Sequence, residues 1–466
     1  MKKLHITKSK KENYYFIDFD NKVIQLVHPE LAKLYLEKTV SDVPSYYQEK
    51  KIYLENHIQF QNDNKNFELK TITSRDIEHN IITTSQIVFE ITDKCNIKCK
   101  YCGYGELYSN YDERNTKDAD INDAISLINY YFDLCKKYNY VNKNLSFGFY
   151  GGEPLIKFDF IKEIISYIEE KYPSNYLYNI TTNGLLLKQY IDYFVEKKFN
   201  LLISLDGDEF SNSYRIDRNG VPTFNKVIEN INFIRERYPS YYENNVSFNS
   251  VIHNRNKLED VLFFFKKSFS KSTNVGRLND CGINPDKIDL FYHIYTNISS
   301  FDYENITTED IKDYPSLFYH HLRFLHNNLF SIYKDYLNLI SDNKKNEIYP
   351  TATCSPFKKK IFLTVNGKIL PCEKIGHNYC LGNVLNGITT INSDEIAYKF
   401  NEIYENIYNK QCSTCNLITN CSTCIFQSNF NCPIKGDGGD YFKSEMDFFE
   451  SQTDLHNEMI LNLTLR

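Results

Sequence analysis

Ten of the thirteen cysteines fall into two arrays, and this distribution constrains the fold more than any other feature of the chain. The first array is Cys95, Cys99 and Cys102; the second is Cys354, Cys372, Cys412, Cys415, Cys421, Cys424 and Cys432. Only Cys135, Cys281 and Cys380 stand apart. The first residues, MKKLHITKSKKENYYF, carry positive charge but lead into no apolar run, so neither a secretory signal nor a membrane span is expected, and a cytoplasmic location follows. That compartment keeps thiols reduced, and an odd count fits a disulfide framework poorly, so the arrays are expected to ligate metal or iron–sulfur clusters. The stretch from Cys354 to Cys432 has short segments and turn residues such as Asn366-Gly367. It is expected to be a loop-rich fold held by its clusters, because so little of it could bury a core unaided.

The other residues read as an ordinary globular protein, with 42% hydrophobic and 24% charged residues in 466. That length allows two or three domains. A net charge of −6 with no basic block argues against nucleic acid as a partner, since phosphate binding depends on clustered Lys and Arg. From about residue 85 apolar runs alternate with amphipathic stretches, the pattern of strand–helix units around a parallel sheet, and a barrel-like architecture is expected. Strands are predicted at Ile87–Thr92, Leu145–Tyr150, Tyr178–Thr182, Leu201–Leu205 and Val246–Ile252. Helices are predicted at Asp120–Tyr138, Phe158–Tyr172, Leu186–Lys198 and Thr223–Tyr238, two of them stopped by Pro173 and Pro239. Each unusual polar motif falls just after a strand, where parallel barrels carry their chemistry. The expected units are residues 1–84, a small α+β domain with a hairpin around YYFIDFDNKVIQLV and a helix from Pro29 to Glu37; 85–300, the barrel; 301–350, a helical connector; 351–440, the cysteine-rich domain; and 441–466, a helix.

The segment FEITDKCNIKCKYC sets Cys95, Cys99 and Cys102 in a CxxxCxxC loop directly after a strand. Three thiolates can hold three irons of a cubane cluster and leave the fourth without a protein ligand. The alternative is a zinc loop completed by one remote ligand. This spacing resembles the radical S-adenosylmethionine (SAM) superfamily, and the resemblance extends over roughly residues 85 to 260. It implies a partial (β/α)6 TIM-like barrel, SAM bound to the open iron, and one-electron cleavage to a hydrogen-abstracting 5′-deoxyadenosyl radical.

Within that resemblance Tyr101 stands where the family has an aromatic near the adenine, and Gly151, Gly152, Glu153 and Pro154 resemble its glycine motif. There the glycines let backbone approach the cofactor and the carboxylate pairs with its ammonium. Thr182 and Asn183 of ITTNG, and Ser204 and Asp206 of SLDGDE, resemble ribose and carboxylate contacts. Arg215 is the expected guanidinium for the SAM carboxylate, with Arg218 as the near alternative. Where the family often has His-Asp before this arginine, the chain has Ser211-Asn212.

The second array, with four residues between Gly367 and Cys372, resembles the SPASM domain of peptide-modifying radical enzymes. The resemblance implies two auxiliary 4Fe–4S clusters, making three in all. Cys354, Cys372 and Cys424 would hold one, and Cys412, Cys415, Cys421 and Cys432 the other. Two residues, Ser422 and Thr423, separate the last central pair where the family has three, and the first auxiliary cluster is one thiolate short unless Cys380 supplies it. On its own this array could also be a zinc ribbon, and Cys380 a buried free thiol. Glu373, directly after Cys372, is the expected general base, with His377 a lesser one and a surface carboxylate the plainer reading.

The expected function is maturation of a ribosomally made precursor peptide by a thioether or carbon–carbon crosslink. A ferredoxin- or flavodoxin-type reductant would serve it, and the N-terminal domain would grip the leader by strand addition or else merely pack on the barrel. A sulfatase-type formylglycine-generating maturase is the rival enzyme. An electron-transfer protein without catalysis is the third reading.

Overall fold

The computed structural model describes residues 5–18, 23–37, 43–57, 68–296, 321–322, 347–413, 415, 418, 421, 423–426 and 439–453. Its centre is one ten-stranded sheet. Six strands come from residues 86–277: β1 (Gln86–Glu90), β2 (Ser146–Tyr150), β3 (Leu177–Thr182), β4 (Asn200–Ser204), β5 (Val246–Ile252) and β6 (Thr273–Arg277). All five pairings among them are parallel. Parallel strands need helical crossovers, and these cover the sheet with the apolar stripes of Ile121–Lys137, Phe158–Lys171, Leu187–Glu196, Phe224–Arg237 and Leu258–Phe269. Phe147, Phe149, Phe199 and Phe248 are fully buried between the layers, each contributing about 2–3 kcal/mol by leaving water.

Local signals fix where these elements begin and end. Asp120 accepts the amide of Asn122 and so caps the first crossover helix, while Lys136 and Lys137 complement its last turn. Pro239 does not end the helical region, as the sequence suggests. Tyr238 breaks the path, and Pro239 starts a further helix, Pro239–Asn245, at the first position, where its missing N–H costs nothing.

The cysteine-rich half departs from the loop-rich expectation. Four short strands, β7 (Ile361–Leu363), β8 (Lys368–Leu370), β9 (Gly382–Leu385) and β10 (Ile388–Thr390), continue the same sheet in the order β6-β5-β4-β3-β2-β1-β7-β8-β9-β10. β7 pairs parallel with β1, and β8 to β10 follow as an antiparallel meander. Segments of three or four residues are too short to display an alternation in sequence; the exposed edge of β1 organises them. At Gly367, with φ +77°, a Cβ would lie 2.1 Å from the Val384 carbonyl, so this turn requires glycine. The sheet remains an open, partial barrel rather than a closed one, since β6 and β10 are both edges.

At the N-terminus, the hairpin Tyr14–Asp18/Val23–Val27 and the helix Pro29–Leu36 stand where predicted. The strand His5–Lys8 adds a third member. This sheet meets the helix Gly439–Ser451, where Asp447 accepts the Lys10 amide and Glu450 accepts the Asn13 amide group. The predicted connector 301–350 lies almost entirely outside the described residues, as does Cys432. Among the described residues no helix is long and apolar enough to cross a membrane.

Candidate active site

The three cysteines of the first array follow β1, and the glycine motif after β2 is stapled to their loop. The Gly152 amide donates to the Thr92 carbonyl and the Glu153 amide to that of Lys94, both at 2.8 Å. A Cβ on Gly151 would lie 2.4 Å from the Thr92 carbonyl oxygen, and one on Gly152 2.2 Å from that of Lys94. The close approach these glycines permit is therefore to the cysteine loop itself.

Glu153 then turns inward. It is 1% exposed, and its carboxylate accepts Thr182 Oγ1 at 2.8 Å and the Asn183 amide at 2.7 Å. Burial raises its pKa to about 7 against the pull of these donors. Thus Glu153, Thr182 and Asn183 form one buried peg between the ends of β2 and β3. Asn183 Nδ2 lies 3.9 Å from Cys95 Sγ.

A second connection was not visible in sequence. Ile97–Cys99 and Arg215–Asp217 form a two-stranded antiparallel ribbon that sets Arg215 opposite Cys99. Arg215 Nη1 lies 3.9 Å from Cys99 Sγ. Its Nε and Nη2 form a bidentate pair with Asp206, both at 3.0 Å, so the fork expected to face a cofactor carboxylate is filled from within the chain. Tyr101 donates to the same carboxylate, and His253, 0% exposed, lies 3.7 Å from it. Burial would push the Asp206 carboxyl up, but Arg215 and His253 outweigh it and hold it at about 2. Arg218 is exposed and donates to the Cys95 carbonyl at 2.8 Å. Ser204 is half-buried at the end of β4.

The three thiols suit an iron–sulfur cluster in kind. Burial holds Cys95 at about 11 and Cys99 at about 12, and an amide and a guanidinium N–H approach these two sulfurs at 3.9 Å. Metal ligation is what would deprotonate such thiols.

Behind this loop lies a tyrosine-rich interior that leads to the second array. Arg114 pairs with buried Glu90 at 2.5 Å and stacks 3.4 Å over Tyr104, while Tyr111 packs against His377. Tyr150, at the end of β2, packs against Phe362 of β7 with ring centroids 6.0 Å apart, and so stands where the strand of the glycine motif meets the cysteine-rich strands. Glu373 pairs with Lys360 at 2.7 Å, and although burial opposes ionisation this lysine keeps its pKa below the usual value. His377 is 3% exposed and accepts the Asp112 amide; burial lowers its pKa.

The structure brings Cys354 and Cys424 towards one another. The Ala352 amide donates to the Thr423 carbonyl at 3.1 Å and the Ile425 amide to Thr353 Oγ1 at 2.9 Å. The Cys380 thiol instead donates to the Gly382 carbonyl at 2.8 Å and packs near Val88, Phe362 and Leu370. Cys412 is buried in the turn ending the helix Ser393–Ile407, and Cys415 and Cys421 are half-buried. Sequence reasoning passed over Cys281, which is 6% exposed and within electrostatic reach of Cys424.

Two family models match these two halves. Residues 89–266 match the radical SAM superfamily, and residues 354–416 match SPASM, an iron–sulfur cluster-binding domain. The chain therefore carries a radical SAM domain followed by a SPASM domain.

Among particular relatives, a cysteine-type anaerobic sulfatase-maturating enzyme of Clostridium novyi is 30% identical over 191 residues, 39% of this chain and 48% of that protein. The radical SAM cyclopropyl synthase TigE of Paramaledivibacter caminithermalis is 24% identical over 341 residues, 71% of this chain and 66% of that protein. The chain thus spans about half to two thirds of the length of these two relatives. The structure described as native anSMEcpe with bound AdoMet aligns with a TM-score of 0.50 at 20% identity, over 80% of this chain and 99% of that one, a likeness of fold.

Proposed function

We propose that the chain is a radical SAM peptide maturase that removes a hydrogen from a residue of a ribosomally made precursor peptide and installs an intramolecular thioether or carbon–carbon crosslink. One observation carries the reading: the strands that lead to Cys372 and Glu373 continue the sheet beside β1, the strand that leads into the Cys95 loop, and Tyr150 at the end of β2 packs across this seam against Phe362 of β7, with ring centroids 6.0 Å apart. A substrate held there would meet a radical source on one side and a proton acceptor and electron sink on the other.

When bound, SAM and a 4Fe–4S cluster on Cys95, Cys99 and Cys102 supply the deoxyadenosyl radical. The chain's own residues do the rest. Asn183 and Arg215 direct N–H groups at the cysteine sulfurs, which stabilises ligated thiolate. Asp206 holds Arg215 and Tyr101 in place, and the Glu153 peg fixes the loop against β2 and β3. Tyr101, Gly151, Gly152, Thr182, Ser204 and Asp206 remain our assigned surroundings for SAM. Glu373, kept ionised by Lys360, takes the proton that an oxidative crosslink must shed.

In the SPASM domain we assign two auxiliary clusters, on Cys354, Cys372 and Cys424 with a fourth thiolate from Cys380 or Cys281, and on Cys412, Cys415, Cys421 and Cys432. The N-terminal sheet is assigned to leader recognition, because Leu26 on its edge strand Val23–Val27 is 58% exposed beside a cleft lined by Tyr47 and Leu54. The TigE relative's name, a cyclopropyl synthase, favours a carbon–carbon bond. The sulfatase-maturating relatives keep formylglycine formation as the second reading. Anaerobic reconstitution with a small peptide encoded nearby tests both: deoxyadenosine with loss of hydrogen mass from that peptide is expected. Modification of a sulfatase-derived Cys or Ser peptide instead would transfer the assignment to the second reading.

A further inference from the structure

The ribbon formed by Ile97–Cys99 and Arg215–Asp217 has two faces, because successive strand residues point to opposite sides. Cys99 and Arg215 are paired in register and face inward, with Arg215 7% exposed. Ile216 and Lys98 are the next pair and face outward. Lys100, two residues on from Lys98, and Arg218, two on from Ile216, extend the outward row. Lys98, Lys100 and Arg218 are all exposed. The outer surface of the cysteine loop is therefore a row of cations one strand's thickness from a cluster ligand.

These charges are not consumed locally. Among the described residues no carboxylate lies within ion-pair distance of Lys98, Lys100 or Arg218, and the nearest acid that senses the lysines, Glu106, pairs with Lys287 at 2.9 Å. Asp217, in the same ribbon, accepts the amides of Asn219 and Val221. Arg255 extends the positive field: it stacks 4.0 Å over Tyr214, whose carbonyl accepts the Lys100 amide, and donates to a hydroxyl rather than a carboxylate. The whole chain carries −6, so its mean field repels anions, and this row of cations is a local exception to it.

We propose that this face is the docking surface for a small acidic one-electron carrier protein, which reduces the cluster through the ribbon while the opposite face serves SAM and substrate. This rests on the radical SAM reading above. The carrier gives up one electron per event and is oxidised by one; the cluster takes it up, and the electron is spent on the carbon–sulfur bond of SAM. A location outside the barrel suits the partner, because a protein cannot enter the interior that the substrate occupies. The charges set orientation and encounter rate more than affinity, which suits a partner that must leave after each electron.

The test uses the reconstituted holoprotein and the double variant Lys98→Glu/Lys100→Glu, with Lys98→Gln/Lys100→Gln as a graded control; both change exposed side chains only. Cluster reduction is followed by stopped-flow absorbance with reduced flavodoxin and, separately, with dithionite. We expect the flavodoxin rate to fall by about tenfold or more at low salt and to lose its dependence on ionic strength, as steered association does when its charges are removed. The dithionite rate should stay within about twofold, since a small reductant needs no oriented docking. An unchanged flavodoxin rate, or equal losses with both reductants, would overturn the proposal. Should the wild-type cluster accept electrons from flavodoxin yet leave SAM intact, the maturase reading fails while the docking surface stands.

Discussion

The two cysteine arrays sit on the same sheet but are built in opposite ways. The first lies on a loop whose every flank is tied to protein: to β2 through the Gly152 and Glu153 amides, to β3 through Glu153, and to Arg215 through the ribbon. The second follows strands of three or four residues, and Cys412 lies in the turn that ends the helix Ser393–Ile407. The first site is preorganised by ties on every flank, whereas the second takes its frame from short strands added to the edge of β1.

The largest effect that could break this contrast is a split between activity and stability. Cys99→Ala should abolish SAM cleavage, by at least about a thousandfold if no other thiolate substitutes, yet leave the metal-free chain's urea midpoint almost unchanged, since no core residue is lost. Chelating all iron should expose the segment 405–426 to limited proteolysis while residues 85–280 stay protected. Cuts within 85–280 at the same rate would show that the first array also depends on its cluster for shape.

Next in size is the buried pair behind Cys99. Arg215→Met leaves Asp206, 0% exposed, without its counter-charge, and should cost about 3–5 kcal/mol in urea denaturation. Arg215→Lys should cost less, since a lysine keeps the charge but not the fork. A loss below about 1 kcal/mol for the methionine variant would mean that Tyr101 and His253 suffice to hold Asp206.

How much of this could be read beforehand depends on contact range. The predicted Val246–Ile252 strand matches to the residue, and the other four barrel strands agree to within one or two, because buried parallel strands are apolar runs between helices with clear caps. The helix predicted at Asp120–Tyr138 has those two residues as its caps. β6 escaped notice: TNVGR is half-exposed and has a glycine in place of an apolar residue. The Cys99–Arg215 ribbon joins residues 116 positions apart, and no local pattern announces it. The site residues were recognisable as types, but their mutual bonds were not. Asp206 and Arg215 each look like a cofactor contact in sequence, and only the fold reveals that they contact each other.

A third test concerns the Glu153 peg. With a folded pKa raised to about 7 from an ordinary 4.5, the native state holds a proton that the unfolded chain has released. Stability of the metal-free chain should therefore fall as pH rises from about 4.5 to 7, by a few kcal/mol at most. Asp206 behaves oppositely: its contribution is present above the ordinary value near 3.8 and is lost as pH falls towards about 2, outside that window. Glu153→Gln should flatten the slope between pH 4.5 and 7, and an unaltered slope in that variant would assign it to another group.

The smallest effect probes the second array at the fourth ligand of the auxiliary cluster that we propose on Cys354, Cys372 and Cys424. Cys380 is close in sequence, but its thiol bonds to the Gly382 carbonyl within the meander. Cys281 is far in sequence, yet its loop is joined to the SPASM domain through Asn110: the Ser109 amide donates to the Gly282 carbonyl, and the Asn110 carbonyl accepts the His377 amide, both at 2.9 Å. Tyr379, two residues on from His377, packs at a tilt against Phe426, two residues after Cys424, with ring centroids 4.9 Å apart. Cys281→Ala and Cys380→Ala should each cost only about 1 kcal/mol as small buried truncations, so iron content and the auxiliary electron paramagnetic resonance signal become the informative readouts. A changed signal in Cys281→Ala alone would mean that the barrel itself ligates the SPASM cluster, making the second array less self-contained than its spacing suggests. A changed signal in Cys380→Ala alone would require the β8–β9 connection to open when the cluster assembles, which would sharpen the contrast with the fixed first loop.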